Sequence, residues 1–393
     1  MFFYVSFLRP PPLESVTFGS ILITPQIAND LRTEPLDTSV DIFYSWVQAT
    51  NISASHTVLA QREIATKPAK LTTWRAATAY KEIPVPLPPG VRDGLAWRLV
   101  LATRPAASLE EFTAVDLFRE DTGNQAVPVV SMPIMFNSRA VRKGAKQEHV
   151  ERVYRLRPKV GDEEEVKLTI KEQTSFDLDK KVWDSGVGLS SWLVGLAKTT
   201  DPEGKIFEIK DALFSAEPRN ILELGTGIGI VGITLAALRS TLESPFVEQA
   251  RTIQDRIILT DLESAIPLID QNISANAKHL RNVQLNAQVL DWDEELPAYV
   301  RELEDGLNSI IMADVTYNTA SFPALVSTLG RLIRLSKKPP LVLLGYKERD
   351  AAERTLWELA GEIGIHFEKI GERGGAGGAP VEIWLGSVDT SQL

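Results

Sequence analysis

The sequence predicts an α/β protein: an open, mostly parallel sheet covered by helices on both faces, with an antiparallel strand at its end and a β-rich region ahead of it. Three observations predict this. From about residue 190 to residue 386, short apolar strands alternate with helical stretches, the pattern of a parallel sheet with crossover helices. Residues 220–224 run through a glycine turn straight into an apolar helix. Residues 1–150 hold 13 of the 23 prolines and contain no run with the length and 3.6-residue period of a good helix. At roughly 100–200 residues per domain, 393 residues fit two domains, placed at 1–150 and 151–393.

In the first region the β-prone runs are 21–24, 40–48, 57–64, 74–83, 96–103, 114–119 and 127–136, separated by turn residues. The proline cluster 84–90 reads as a breaker. Together these suggest a small β-sandwich. The opening MFFYVSFLRPPP is apolar but has no basic start and no small-residue cleavage site, so it is not expected to be a signal peptide. The basic run 139–146 reads as a solvated linker, with partner contact as the alternative. An acidic turn at 161–165 then joins runs 153–156 and 166–172 as a hairpin.

The second region reads as helix 190–198, strand 220–224, helix 228–239, strand 256–260, helix 263–279 and strand 283–290. Strand 309–313, helix 322–335, strand 341–345 and helix 351–363 follow. The closing runs 365–370 and 381–386 have no helix between them and should pair antiparallel. The five-glycine stretch 371–378 joining them reads as a flexible hairpin loop rather than a phosphate cradle.

Composition narrows the function. The chain has no cysteine, which removes disulfides, thiolate nucleophiles and cysteine-based zinc sites and fits a reducing compartment. Its four histidines are scattered without metal-ligand spacing, so no metal is expected. The longest mid-chain apolar run, 230–238, is too short for a membrane span. Residues 1–150 carry 15 Lys and Arg against 14 Asp and Glu; the remainder carries 27 against 38, a net charge of −11. That acidity argues against a phosphate backbone as the partner and suits a basic protein surface, or serves solubility alone.

The motif with most chemistry is Ile221-Leu222-Glu223-Leu224-Gly225-Thr226-Gly227-Ile228-Gly229. Glycine permits a tight turn and close approach of backbone to a ligand, and the next helix offers unpaired N–H groups. Gly227, Gly229 and Gly232 match the dinucleotide spacing G-x-G-x-x-G, though a tight turn without a ligand is the bland alternative. Glu223 pulls away from a nicotinamide enzyme, since a carboxylate there can accept from a cationic ligand's amine, and no histidine is placed for hydride chemistry.

Glu-x-Gly-x-Gly resembles the opening of S-adenosylmethionine methyltransferases, and the later motifs agree in order. Asp261 ends the second strand, where it can accept both ribose hydroxyls; a helix cap is the alternative. It lies 36 residues past Gly225, the excess falling in an inserted loop at 240–255. Trp292, after Leu290, can pack on adenine or serve plain packing. Ala313-Asp314-Val315-Thr316-Tyr317 ends the fourth strand. With Val182-Trp183-Asp184-Ser185-Gly186 ahead of the first helix and Gly345-Tyr346-Lys347-Glu348-Arg349 after strand five, residues from about 150 onward resemble the seven-strand, Rossmann-like protein lysine methyltransferases with a D-x-x-Y motif.

The resemblance implies S-adenosylmethionine as cofactor, held by Trp183, Glu223, Gly225, Thr226, Gly227, Asp261, Trp292 and Ala313. It implies Asp314 and Tyr317 as catalytic residues and a protein lysine as acceptor, in an elongation factor, chaperone or other ATPase. A monomer in the cytoplasm or nucleus is expected, with neither nucleic acid nor membrane as partner. The alternatives are a methyltransferase of small-molecule or nucleic-acid amines, or a non-catalytic scaffold. Against base chemistry, Asp314 to Tyr317 lacks the two prolines of the base-modifying motif. The region 1–150 does not resemble the family and is expected to set substrate choice.

Overall fold

The computed structural model describes residues 1–49, 64–139, 145–157, 165–175, 177–241, 255–389 and 391. Most of the expected strand 57–64, basic run 139–146, acidic turn 161–165 and inserted loop 240–255 lies outside the described residues.

The N-terminal region is built from two sheets around one core. Tyr4–Arg9, Ser20–Ala28 and Ile83–Pro86 form an antiparallel three-stranded sheet. Val40–Gln48 pairs with Ala69–Trp74 and Ala96–Ala102 in a nine-stranded sheet that continues through Val129–Ser131. Ile21, Ile23 and Ile27 of the first sheet meet Trp46, Leu99 and Phe136 of the second.

Two expectations need correction. Residues 74–83 are not a strand: the strand ends at Trp74 and a 3-10 turn, Ala76–Thr78, follows. The proline cluster does not only break structure. Pro84 and Pro86 lie in an edge strand, where a missing N–H disturbs no ladder on the open side. The apolar opening of the chain is the strand Tyr4–Arg9.

The expected hairpin is present as His149–Leu156 and Val166–Gln173, and it extends the nine-stranded sheet, with Val150 opposite Ser131. Its outer strand is not left open. Asn272 accepts from the Lys171 N–H (2.8 Å) and donates to its carbonyl (3.0 Å); Asn276 does the same at Thr169 (2.9 and 2.8 Å). Two amides from a helix thus satisfy a sheet edge that would otherwise invite pairing.

The second sheet has seven strands: β1 (Asn220–Leu224), β2 (Asp255–Asp261), β3 (Val283–Val289), β4 (Ser309–Ala313), β5 (Leu341–Tyr346), β6 (Ile365–Arg373) and β7 (Val381–Val388). Their spatial order is β3-β2-β1-β4-β5-β7-β6. β1 to β5 are parallel, and β7 runs antiparallel between β5 and β6. The helices α1 (Asp184–Lys198), α2 (Gly204–Phe214), α3 (Ile230–Ser240), α4 (Ile266–Asn276), α5 (Phe322–Leu335) and α6 (Thr355–Glu362) connect and cover it.

Helix α1 begins six residues earlier than the apolar run suggests. Trp183 is extended (φ −111°, ψ 154°) and Asp184 lies in the first turn, at the positive end of the helix dipole. Helix α2 escaped the sequence reading because only Ile209, Leu213 and Phe214 are buried on it. Among the described residues no helix is long and apolar enough to cross a membrane.

Candidate active site

Strand order reverses beside β1, between β2 and β4, and the C-terminal ends of these strands open into a cavity. Open α/β sheets bind ligands at such a switch point. Trp183, Glu223, Gly225, Thr226, Gly227, Asp261, Trp292, Ala313, Asp314 and Tyr317 all line this one cavity.

The floor is the turn between β1 and α3. Gly225, Gly227 and Gly229 adopt φ of 60°, 59° and 86°, the left-handed region open to glycine at no steric cost. A Cβ on Gly225 would lie 2.9 Å from Val315 and 3.3 Å from the Trp292 ring, whereas above Gly227 nothing lies within 4 Å. The turn is tied to β2: the Thr226 N–H donates to the Thr260 carbonyl (3.0 Å) and the Gly227 N–H to the Asp261 carboxylate (2.8 Å). The Leu262 N–H also donates to Asp261 (2.8 Å), and burial raises that carboxyl to about 6.

Glu223 is buried at the end of β1 and accepts from the Gly232 N–H in α3 (2.9 Å). Desolvation raises its carboxyl to about 8. Gly232 makes this contact possible, because a Cβ there would fall 2.0 Å from Leu259 Cδ2 and 2.7 Å from the Glu223 carboxylate.

The opposite wall carries Asp314 and Tyr317. Asp314 is a non-glycine residue at φ 59°, a conformation that costs about 1 kcal/mol and is tolerated best by Asn and Asp. Its carboxylate accepts from the Ser185 N–H at the start of α1 (2.9 Å) and from Arg349 Nη1. The Tyr317 ring lies nearly parallel to Trp183, with centroids 6.4 Å apart and an interplanar angle of 6°. Tyr317 stays half exposed. Lys181 Nζ sits 4.4 Å from the Trp183 ring centroid and donates to the Asp30 carbonyl (2.9 Å); burial lowers it to about 8.

Behind this wall is a buried ionic cluster that sequence reasoning missed. Asp184 accepts from the Phe2 N–H (2.9 Å), the Tyr4 hydroxyl (2.9 Å) and Lys347 Nζ (2.7 Å). Asp30 accepts from Lys347 Nζ (3.3 Å), Arg349 Nη2 (2.8 Å) and the Asp184 N–H (3.2 Å). Lys347 and Arg349 lie in a recognised motif, so they carried a signal of position but none of partner. Asp30 carried none, being 319 residues from Arg349.

The seven-stranded order with an antiparallel β7, the glycine turn after β1 and the cavity above it define a methyltransferase-type, Rossmann-like α/β fold. Comparison with known proteins narrows the class. A family model described as "Lysine methyltransferase" matches residues 162–362, just over half of the chain, and the chain belongs to that family. It is 28% identical over 201 residues to a UPF0665 family protein of Schizosaccharomyces pombe, covering 51% of this chain and 52% of that one. It is 30% identical over 181 residues to the protein N-lysine methyltransferase METTL21A of Danio rerio, covering 45% of this chain and 65% of the other. The protein-lysine N-methyltransferase EFM6 of Saccharomyces cerevisiae is 28% identical over 181 residues, with 44% and 65% covered. The chain thus spans about half to just under two thirds of the length of these curated relatives.

Proposed function

We propose that this chain is an S-adenosylmethionine-dependent protein-lysine N-methyltransferase. The observation that carries it is the convergence of Asp314, Tyr317 and Trp183 on the open side of the cavity whose floor is the Glu223–Gly229 turn. Family membership supports the same reading, as does the similarity to the lysine methyltransferases METTL21A and EFM6.

The residues present fit the cofactor. The left-handed turn leaves the space above Gly227 open, Glu223 is a buried carboxyl suited to an ammonium, and the Trp292 indole borders the cavity for a flat base. Asp261 keeps acceptor capacity for hydroxyls beyond its two N–H bonds. S-Adenosylmethionine supplies an electrophilic methyl group on a sulfonium.

The chain's own task is to present an uncharged amine in line with that methyl. A lysine near its ordinary pKa costs about 4.6 kcal/mol to deprotonate at pH 7. Withdrawal from water against the cavity wall lowers that cost by disfavouring the ammonium form, and Trp183 and Tyr317 form part of that wall. Asp314 can orient the amine as a hydrogen-bond acceptor, and its own carboxylate is held by Ser185 and Arg349. Alignment supplies most of the acceleration.

The acceptor is proposed to be a lysine of a folded protein with a basic surface, since residues 151–393 carry a net charge of −11. Labelled S-adenosylmethionine, the pure chain and a lysate from cells lacking it test the proposal. Label is expected on lysine after protein hydrolysis. Label in the RNA or metabolite pool with none on protein lysine overturns it.

A further inference from the structure

Asp314 is not held by its own sheet alone. Of its two carboxylate oxygens, one takes the Ser185 N–H and the other takes Nη1 of Arg349. Arg349 is gripped from its far side, where Nη2 donates to Asp30 (2.8 Å). Asp30 belongs to the N-terminal region, just past the strand Ser20–Ala28, and its side chain is fully buried. The Arg349 guanidinium carbon also lies 5.2 Å from the Trp183 ring centroid. One planar fork therefore touches the Asp314 carboxylate, the face of Trp183 and a carboxylate contributed by the other region of the molecule.

A guanidinium bonded at one arm keeps freedom about its long side chain. A second carboxylate on the other arm fixes its plane. Stability alone is a poor reason for this arrangement, because desolvating two carboxylates and a cation offsets much of their attraction. What the arrangement does supply is a defined orientation for Asp314, whose backbone is already committed to the left-handed region.

We propose that Asp30 is a positioning residue of the methyl-transfer centre. Acting through Arg349, it sets the orientation of the Asp314 carboxylate and the plane of the guanidinium over Trp183, so the N-terminal region completes the active site. The inference rests on the function proposed above. Asp255, at the opposite end of β2 from Asp261, is also a buried carboxylate held by an arginine, Arg239 (2.8 and 2.7 Å), and neither residue lines the cavity. It provides the comparison for a purely structural effect.

The test uses the full chain and the variants Asp30→Asn, Arg349→Lys, their double variant and Asp255→Asn. Three quantities are read: the maximal rate and half-saturating amount with lysate protein as acceptor, the affinity for S-adenosylmethionine by calorimetry, and the arginine side-chain NMR spectrum. In the unaltered chain, slow rotation should keep the two Nη resonances of Arg349 apart; they are assigned by their loss in Arg349→Lys. Asp30→Asn is expected to lower the maximal rate at least ten-fold, keep cofactor affinity and half-saturation within two-fold, and merge the Nη pair. The double variant should be no slower than Arg349→Lys, and Asp255→Asn should lose less than three-fold.

A rate within two-fold of the unaltered chain in Asp30→Asn overturns the inference, as does an equal fall in Asp255→Asn or a double variant slowed by both factors. Should Asp30→Asn not fold, Arg349→Lys decides, since an ammonium has no planar fork with which to orient the Asp314 carboxylate; an undiminished rate there overturns the inference. If the unaltered chain labels no protein, the proposed function falls and the NMR pair alone decides. Merging in Asp30→Asn supports the hold on Arg349, and an unchanged pair refutes it.

Discussion

Glu223 shows what a single buried group can do to binding. With burial raising its carboxyl to about 8, the free chain holds it mostly protonated at pH 7. An ammonium placed against it favours the ionised form, so cofactor binding is expected to release a proton and to tighten as pH rises towards 8. Calorimetry in two buffers of different ionisation enthalpy measures this; no release at pH 7 would remove Glu223 from contact with the amine. Stability runs the other way. The folded value lies above the unfolded one, roughly 4.3, so this contribution is complete below pH 4 to 5 and is lost as pH rises through about 8. Glu223→Gln should flatten that dependence in urea titrations. On the facing wall, Asp314→Ala should slow methyl transfer about ten-fold or more, at least 1.4 kcal/mol, with a much smaller change in cofactor affinity; equal losses in both would count against its role. Both residues were legible in the sequence because they sit in motifs with fixed offsets from strand ends. The left-handed backbone of Asp314 was not, nor was the hold of Asp30 on Arg349, since no periodicity links groups that meet only when the two regions pack.

The strand–turn–helix of β1, the glycine loop and α3 separates two kinds of glycine, and substitutions should separate them too. At Gly232 an added methyl meets Leu259 at 2.0 Å and the Glu223 carboxylate at 2.7 Å inside the sheet–helix interface. Overpacking of that kind typically costs 1–3 kcal/mol, so Gly232→Ala should lower the urea midpoint with an unchanged slope. At Gly227 a Cβ meets nothing and the penalty is only that of the left-handed backbone, about 1 kcal/mol. Gly227→Arg should therefore keep the fold while filling the cavity and abolishing cofactor binding; unchanged affinity by calorimetry would refute the assignment of this turn. The periodic elements of the second region were readable because burial on a parallel sheet writes continuous apolar runs, as in β4 and β5. The N-terminal strands were harder. Residues 74–83 combine β-prone side chains with a 3-10 turn, and an edge strand built around two prolines contradicts local propensity while satisfying the sheet.

Each region has an interior of its own, and the two also share a third. Phe2, Tyr4, Val115, Leu117 and Tyr154 share one apolar cluster with Val187, Trp192 and Val381. The Asn272 and Asn276 amides bind the edge of the N-terminal sheet, and Tyr4 and Phe2 bond Asp184 directly. The glycine-rich loop between β6 and β7 has a reason beyond flexibility. A bridge joins Gly123 to Gly375, and a Cβ on Gly123 would come 2.5 Å from the Gly374 carbonyl. A change in sequence grammar near residue 150 thus marks a change of architecture, while the shared cluster predicts one cooperative unit across it, because hydrophobic pattern reports which face is buried and not against what. The consequence is measurable. With 5-fluorotryptophan incorporated, the fluorine resonances of Trp46, Trp74 and Trp97, assigned by substitution, report on the N-terminal core, and helical ellipticity reports mainly on α1 to α6. The two signals should melt at one temperature. S-Adenosylhomocysteine, which would bind only the folded cavity, should raise both by the same amount, because ligand linkage acts on the whole cooperative unit. A rise in the helical transition alone, with the tryptophan signal unmoved, would mean that the shared core and the Asp30–Arg349 contact do not couple the regions.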